Sequence, residues 1–98
     1  MKVTFTQTGS ELLVAIEGSI NTMSAPELDK EVSGKLDGIT SLILDFKNVD
    51  YISSAGLRVL LALYKAMSAK GGLILRNVCQ DVMDVFTMTG FDNFLTIE

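Results

Sequence analysis

The run Ser41-Leu42-Ile43-Leu44-Asp45-Phe46 constrains this chain more than any other stretch of it. It is almost continuously apolar, so it reads as a strand covered on both faces, and such strands sit at the centre of parallel sheets. Parallel neighbours must be joined by a crossover, usually a helix. Helical periodicity stands on both sides of the run. Leu28, Val32 and Lys35/Leu36 form a narrow stripe before it, and Leu57, Leu60, Leu61, Tyr64 and Met67 share one helical face after it.

The remaining elements fall into place around that centre. Val3 and Phe5 alternate within Lys2–Gln7, and Leu12, Val14 and Ile16 alternate with Leu13 and Ala15. Thr8-Gly9-Ser10 between the two runs predicts a turn, hence an antiparallel hairpin. Ser24-Ala25-Pro26-Glu27 has the form of a capping box, with Pro26 in the first turn, and Gly38 marks the end of that helix. A loop is expected at Lys47–Ile52, then a long helix from near Ser54 to about Lys70, stopped by Gly71-Gly72. Leu73-Ile74-Leu75 reads as a short buried strand. Val82, Val85 and Phe86 give a third helical stripe closed by Gly90, and Phe94–Ile97 predicts a last short strand or edge. The expected fold is a single α/β domain over residues 1–98, β-β-α-β-α-β-α-β. Its sheet should be mixed and mostly parallel, with the helices largely on one face.

Composition narrows the function. The chain has no histidine, so Ser-His-Asp and Cys-His catalysis and histidine-based zinc sites are closed to it. Its net charge is −4 and its eight basic residues are scattered, which argues against a nucleic-acid backbone or an anionic membrane as partner. Met1–Ser10 has no signal-peptide core, and no window approaches the ~20 apolar residues of a membrane span, so a cytoplasmic location is expected. The one cysteine, Cys79, forms no intrachain disulfide, and with no histidine to activate it, it reads as a small buried residue. Asp45 and Asp50 read as a strand end and a loop residue rather than a catalytic pair. No catalytic residue, metal site or cofactor is expected.

In a parallel sheet, partners meet the carboxyl ends of the strands. Asp50-Tyr51-Ile52-Ser53-Ser54-Ala55-Gly56-Leu57 lies at such an end, where the buried strand passes into the long helix. Ser54 is expected to be the N-cap, with Ser53 just outside the helix holding the loop by a bond to Asn21. On spacing alone a serine there is a plain cap. The same position also suits a phosphate, because the first-turn N–H groups and the helix dipole both favour an anion. A phosphate-binding loop is a weaker reading, since the segment has no lysine and a single glycine.

Val49-Asp50-Tyr51-Ile52-Ser53-Ser54-Ala55-Gly56-Leu57-Arg58-Val59-Leu60 resembles the central motif of the bacterial anti-sigma-factor antagonists, whose domain type is called STAS. Gly18-Ser19-Ile20-Asn21 with Ala25-Pro26-Glu27-Leu28 resembles the family's second strand and first helix. Val85-Phe86-Thr87-Met88-Thr89-Gly90-Phe91 resembles its last helix and the following turn. The resemblance implies a non-enzymatic binding module that engages an anti-sigma factor, itself a serine kinase using ATP and magnesium, and so frees a sigma factor. It implies phosphorylation at Ser54, which ends the binding, and a separate serine phosphatase that reverses it. Asn21, Thr22, Ser53, Ala55, Gly56, Leu57 and Arg58 would bind the partner or support the site, and the free protein would be a monomer. Many members carry Asp where this chain has Ser53 and Asn21, which bears on how the serine is presented to a kinase. The rival reading from the same resemblance is a structural or regulatory subunit bound to a transporter ATPase, in which Ser54 would only cap the helix.

Overall fold

The computed structural model describes all residues, Met1–Glu98. Strands β1 (Lys2–Thr8) and β2 (Glu11–Ile20) pair antiparallel, with Val3 opposite Ile16 and Phe5 opposite Val14. The two-residue turn between them places Gly9 at φ +61°, a conformation that suits glycine. Helix α1 (Ala25–Ser33) leads to β3 (Ser41–Ile52), helix α2 (Ser54–Ser68) to β4 (Leu73–Arg76), and helix α3 (Gln80–Thr89) to a short 3-10 turn at Phe91–Asn93 and the two-residue strand β5 (Thr96–Ile97). The five strands stand in chain order, β1-β2-β3-β4-β5, and every pair after the first is parallel.

Sequential parallel strands joined by crossovers of one hand bring their helices to one side of the sheet. The core confirms this arrangement. Leu12, Val14 and Ile16 of β2, Leu42, Leu44 and Phe46 of β3, and Leu73 and Leu75 of β4 form one buried cluster with residues of all three helices. Leu28 and Val32 come from α1, Leu57, Leu60, Leu63 and Met67 from α2, and Val82 and Phe86 from α3. Phe46 and Phe86 meet at its centre with ring centroids 6.4 Å apart.

Four expectations need correction. First, β3 is covered by helices on one face only. Ile43, in register with Leu13 and Ile74, lies outside the helix-covered cluster, yet it is only 2% exposed. Its partners in register, Leu13 and Ile74, are half-buried. Second, Lys47–Ile52 is strand. It continues β3 against Glu17–Ile20 through two register shifts, which place Phe46, Val49 and Ile52 inside at a spacing of three. Bulges of this kind erase the two-residue alternation that marks a strand in sequence. Third, α1 ends at Ser33 with Gly34 as its C-cap, and Gly38 sits in the loop beyond, although Leu36 and Ile39 still reach the core. Fourth, Phe94 and Leu95 precede β5 rather than belonging to it. Phe94 packs its ring 4.8 Å from that of Tyr64 in an edge-on contact.

No helix is long and apolar enough to cross a membrane.

Candidate functional site

β2 and β3 outrun β4 at their carboxyl ends, and the start of α2 closes onto the pair. The closure is a backbone bond: the Ser53 N–H donates to the Ile20 carbonyl at 2.8 Å. Ser53 is extended (φ −93°, ψ 175°), its Oγ accepts from the Gly56 N–H at 3.2 Å, and its carbonyl accepts from the Leu57 N–H at 2.9 Å. Ser53 is therefore the N-cap, not Ser54. Ser54 is the first helical residue and is exposed, whereas Ser53 is half-buried and committed to the helix. The N–H groups of Ser54 and Ala55 are then the first-turn donors without an intrahelical acceptor.

Asn21 does not bond Ser53. Its Oδ1 accepts from the N–H groups of Met23 (2.9 Å) and Ser24 (3.0 Å), and its carbonyl accepts from the Ala25 N–H at 2.8 Å. Ser24 also departs from expectation. It sits at the N-cap position of α1 in helical geometry and makes no side-chain cap bond there. Its hydroxyl instead donates to the Ser19 carbonyl at 2.8 Å and accepts from the Asn21 N–H at 2.9 Å. These bonds fix the turn between β2 and α1 and leave its apex, Thr22 and Met23, outside. Met23 is 86% exposed.

The motif thus divides by burial. Thr22, Ser54 and Arg58 face solvent, Ala55 is half-buried against the core, and Gly56 and Leu57 are buried. Gly56 is there for proximity. A Cβ at that position would stand 2.7 Å from Ile52 Cγ1, 2.8 Å from Ile20 Cγ2 and 3.2 Å from the Ile20 carbonyl oxygen. Only a residue without a side chain lets the first turn of α2 lie this close to the ends of both central strands. Gly56 and Leu57 therefore support the surface and are not part of it. Sequence reasoning missed Met23 as a member of the exposed rim. The available signal was a large apolar residue between a strand end and the helix-start sequence Ser24-Ala25-Pro26.

The carboxylates are occupied structurally. Asp50 accepts from the Ser19 hydroxyl at 2.8 Å, while Asp45 accepts from the Lys47 N–H and the Asn77 side chain, each at 3.0 Å. They serve different junctions and share no site. Cys79 is half-buried at the N-cap of α3, its Sγ 3.5 Å from the Val49 carbonyl. The molecule's cleft, about 270 Å³ between Tyr64, Ser68, Gly71, Gly72, Leu73 and Thr96, lies at the opposite end of the sheet. What the carboxyl end presents is an exposed rim rather than an enclosed cavity.

A family model described as the STAS domain matches residues 2–98. The chain belongs to the STAS domain family. Over 93 residues it is 36% identical to BtrV of Bordetella bronchiseptica, provisionally named an anti-sigma factor antagonist, covering 93% of this chain and 80% of that protein. It is 29% identical over 92 residues to the anti-sigma-B factor antagonist of Bacillus subtilis, covering 93% of this chain and 84% of that one. Among solved structures, an anti-sigma factor antagonist from Mycobacterium paratuberculosis superposes with a TM-score of 0.88 at 21% identity, covering 98% of this chain and 83% of that chain. This last likeness shows a shared fold.

Proposed function

We propose that this STAS domain is an anti-sigma factor antagonist: it binds an anti-sigma factor serine kinase through its carboxyl-end rim, frees a sigma factor, and is released when Ser54 is phosphorylated. The observation that carries the reading is the division of labour between the two adjacent serines. Ser53 is spent on the helix cap, and Ser54 stands exposed one residue later, in the rim with Thr22, Met23 and Arg58. The names of the two relatives support the regulatory role.

The chemistry asks little of this chain. The partner kinase transfers the γ-phosphoryl group of its magnesium-bound ATP to Ser54 Oγ. A phosphorus–oxygen bond forms there, the bond to the β-phosphate oxygen breaks, ADP leaves, and the hydroxyl proton passes to a base of the kinase. A serine phosphatase reverses the change by hydrolysis to inorganic phosphate. The chain supplies the acceptor hydroxyl and no catalytic group or cofactor, acting in the cytoplasm as a monomer when free. Phosphate adds about −1.5 to −2 charges at neutral pH. A contact loss of ~3–4 kcal/mol would weaken binding by a few hundred-fold.

Capture of partners from native cells tests the reading, followed by incubation of the recovered kinase with labelled ATP. A serine kinase should be recovered, and label should appear on the parent protein and on Ser53→Ala but not on Ser54→Ala. Recovery of a transporter ATPase in place of a kinase, or equal affinity of the kinase for the plain and phosphorylated protein, would overturn it.

A further inference from the structure

Arg58 stands four residues after Ser54, so the two side chains lie one above the other on the same face of α2. Both residues are exposed. Arg58 has no acceptor of its own, because the single ion pair of the molecule joins Arg76 to Glu98 at 3.2 Å. The first turn of α2 holds no acidic residue. Of the neighbouring elements at this rim, α1 brings Glu27 in its first turn and β3 brings Asp50, which is already engaged by the Ser19 hydroxyl. In a chain of net charge −4, this face of α2 is a free positive spot next to the modifiable hydroxyl.

Taking Ser54 as the modified residue, we propose that its phosphate is paired in cis with Arg58. An anion N-terminal to a cation at this spacing is the favourable order on a helix. Guanidinium is also the side chain best shaped to hold phosphate oxygens. Modification then does two things to the rim. It adds negative charge at Ser54, and it withdraws the guanidinium that the unmodified protein offers to a partner. The surface changes sign rather than merely gaining bulk.

The test uses protein with phosphoserine encoded at position 54, so its outcome does not depend on whether any kinase modifies that residue in cells. Phosphorus NMR follows the second ionisation of the phosphate in the parent sequence, in Arg58→Gln and in Lys65→Gln, which removes a cation near the other end of the same helix. The midpoint should lie about 0.2–0.4 pH units higher in Arg58→Gln than in the parent, because the pair favours the dianion. Lys65→Gln should match the parent. Equal midpoints in the parent and Arg58→Gln, or an equal rise in Lys65→Gln, would overturn the pairing. Absence of labelling by a native kinase would instead count against Ser54 as the modified residue and leave the pairing measurement standing.

Discussion

The two ends of the parallel sheet are built on opposite principles. At the amino end, loops lock into one another. The Thr40 N–H donates to the Ser10 carbonyl at 2.8 Å, the two hydroxyls meet at 3.0 Å, the Leu42 N–H donates to the Gly72 carbonyl at 3.2 Å, and the Lys70 ammonium reaches the Leu36 carbonyl. Gly71 packs so closely that a Cβ would stand 1.9 Å from the Thr40 carbonyl oxygen. The turn after β1, the loop before β3 and the turn after α2 thus satisfy one another. At the carboxyl end the backbone is pinned just as firmly, by Ser53 to Ile20 and by the Asn21 turn, yet Thr22, Met23, Ser54 and Arg58 are left facing outward. One end spends its polar groups on itself. The other holds its backbone still and keeps its side chains free, which is how a surface is made ready for a partner at low entropic cost.

The amino end is most sensitive at Gly71. Gly71→Ala drives a Cβ into backbone that has no room to move, and overpacking of this kind costs about 1–3 kcal/mol or more. Each kcal/mol lowers the melting temperature of a domain this size by roughly 4–8 °C. Calorimetry should show this as the largest loss among the variants, while the folded fraction binds the partner normally. A matching fall in affinity would mean that the two ends are not independent.

Gly56→Ala tests the carboxyl end in the same way. The clash falls on the γ carbons of Ile20 and Ile52, both buried and stiff at χ1, and more mildly on the Ile20 carbonyl, while alanine recovers roughly 1 kcal/mol of helix propensity. A net loss of ~1–2 kcal/mol is expected, smaller than at Gly71. Here stability and partner affinity should fall together, because the first turn of α2 must shift. Unchanged affinity in a destabilised protein would show that the rim does not depend on the position of that turn.

The adjacent serines should separate cleanly. Ser53→Ala removes the cap and should cost ~1 kcal/mol in denaturant unfolding. Ser54→Ala removes an exposed hydroxyl that caps nothing, so its effect should stay within about 0.5 kcal/mol. This ordering reverses what a cap at Ser54 would give. The smallest effect belongs to Asn21→Asp, which retains an acceptor for both the Met23 and Ser24 N–H groups. Its stability should change by less than about 0.5 kcal/mol, and its labelling by the kinase should run faster than the parent's; a slower rate would show that the amide is what the kinase prefers here.

Periodicity and turn residues determined most of the architecture by themselves. The order of elements, the hairpin, the parallel centre and the long helix after Ser53-Ser54 follow from apolar spacing and from glycines, because those patterns record which face of each segment is buried. The family motif was also legible, since it is written in consecutive residues. Tertiary structure decided the rest. The strand character of Lys47–Ile52 arises from bulged pairing with Glu17–Ile20, which no local alternation reveals. Which serine caps α2 depends on where the Ile20 carbonyl receives the incoming chain, a contact between residues far apart in sequence. That Gly56 and Leu57 lie inside while Ser54 and Arg58 lie outside follows from how closely α2 approaches β2 and β3. A sequence fixes the local preferences of each segment, but exposure is a property of the packed whole, and it is exposure that separates the hydroxyl another protein can reach from the one that holds the helix in place.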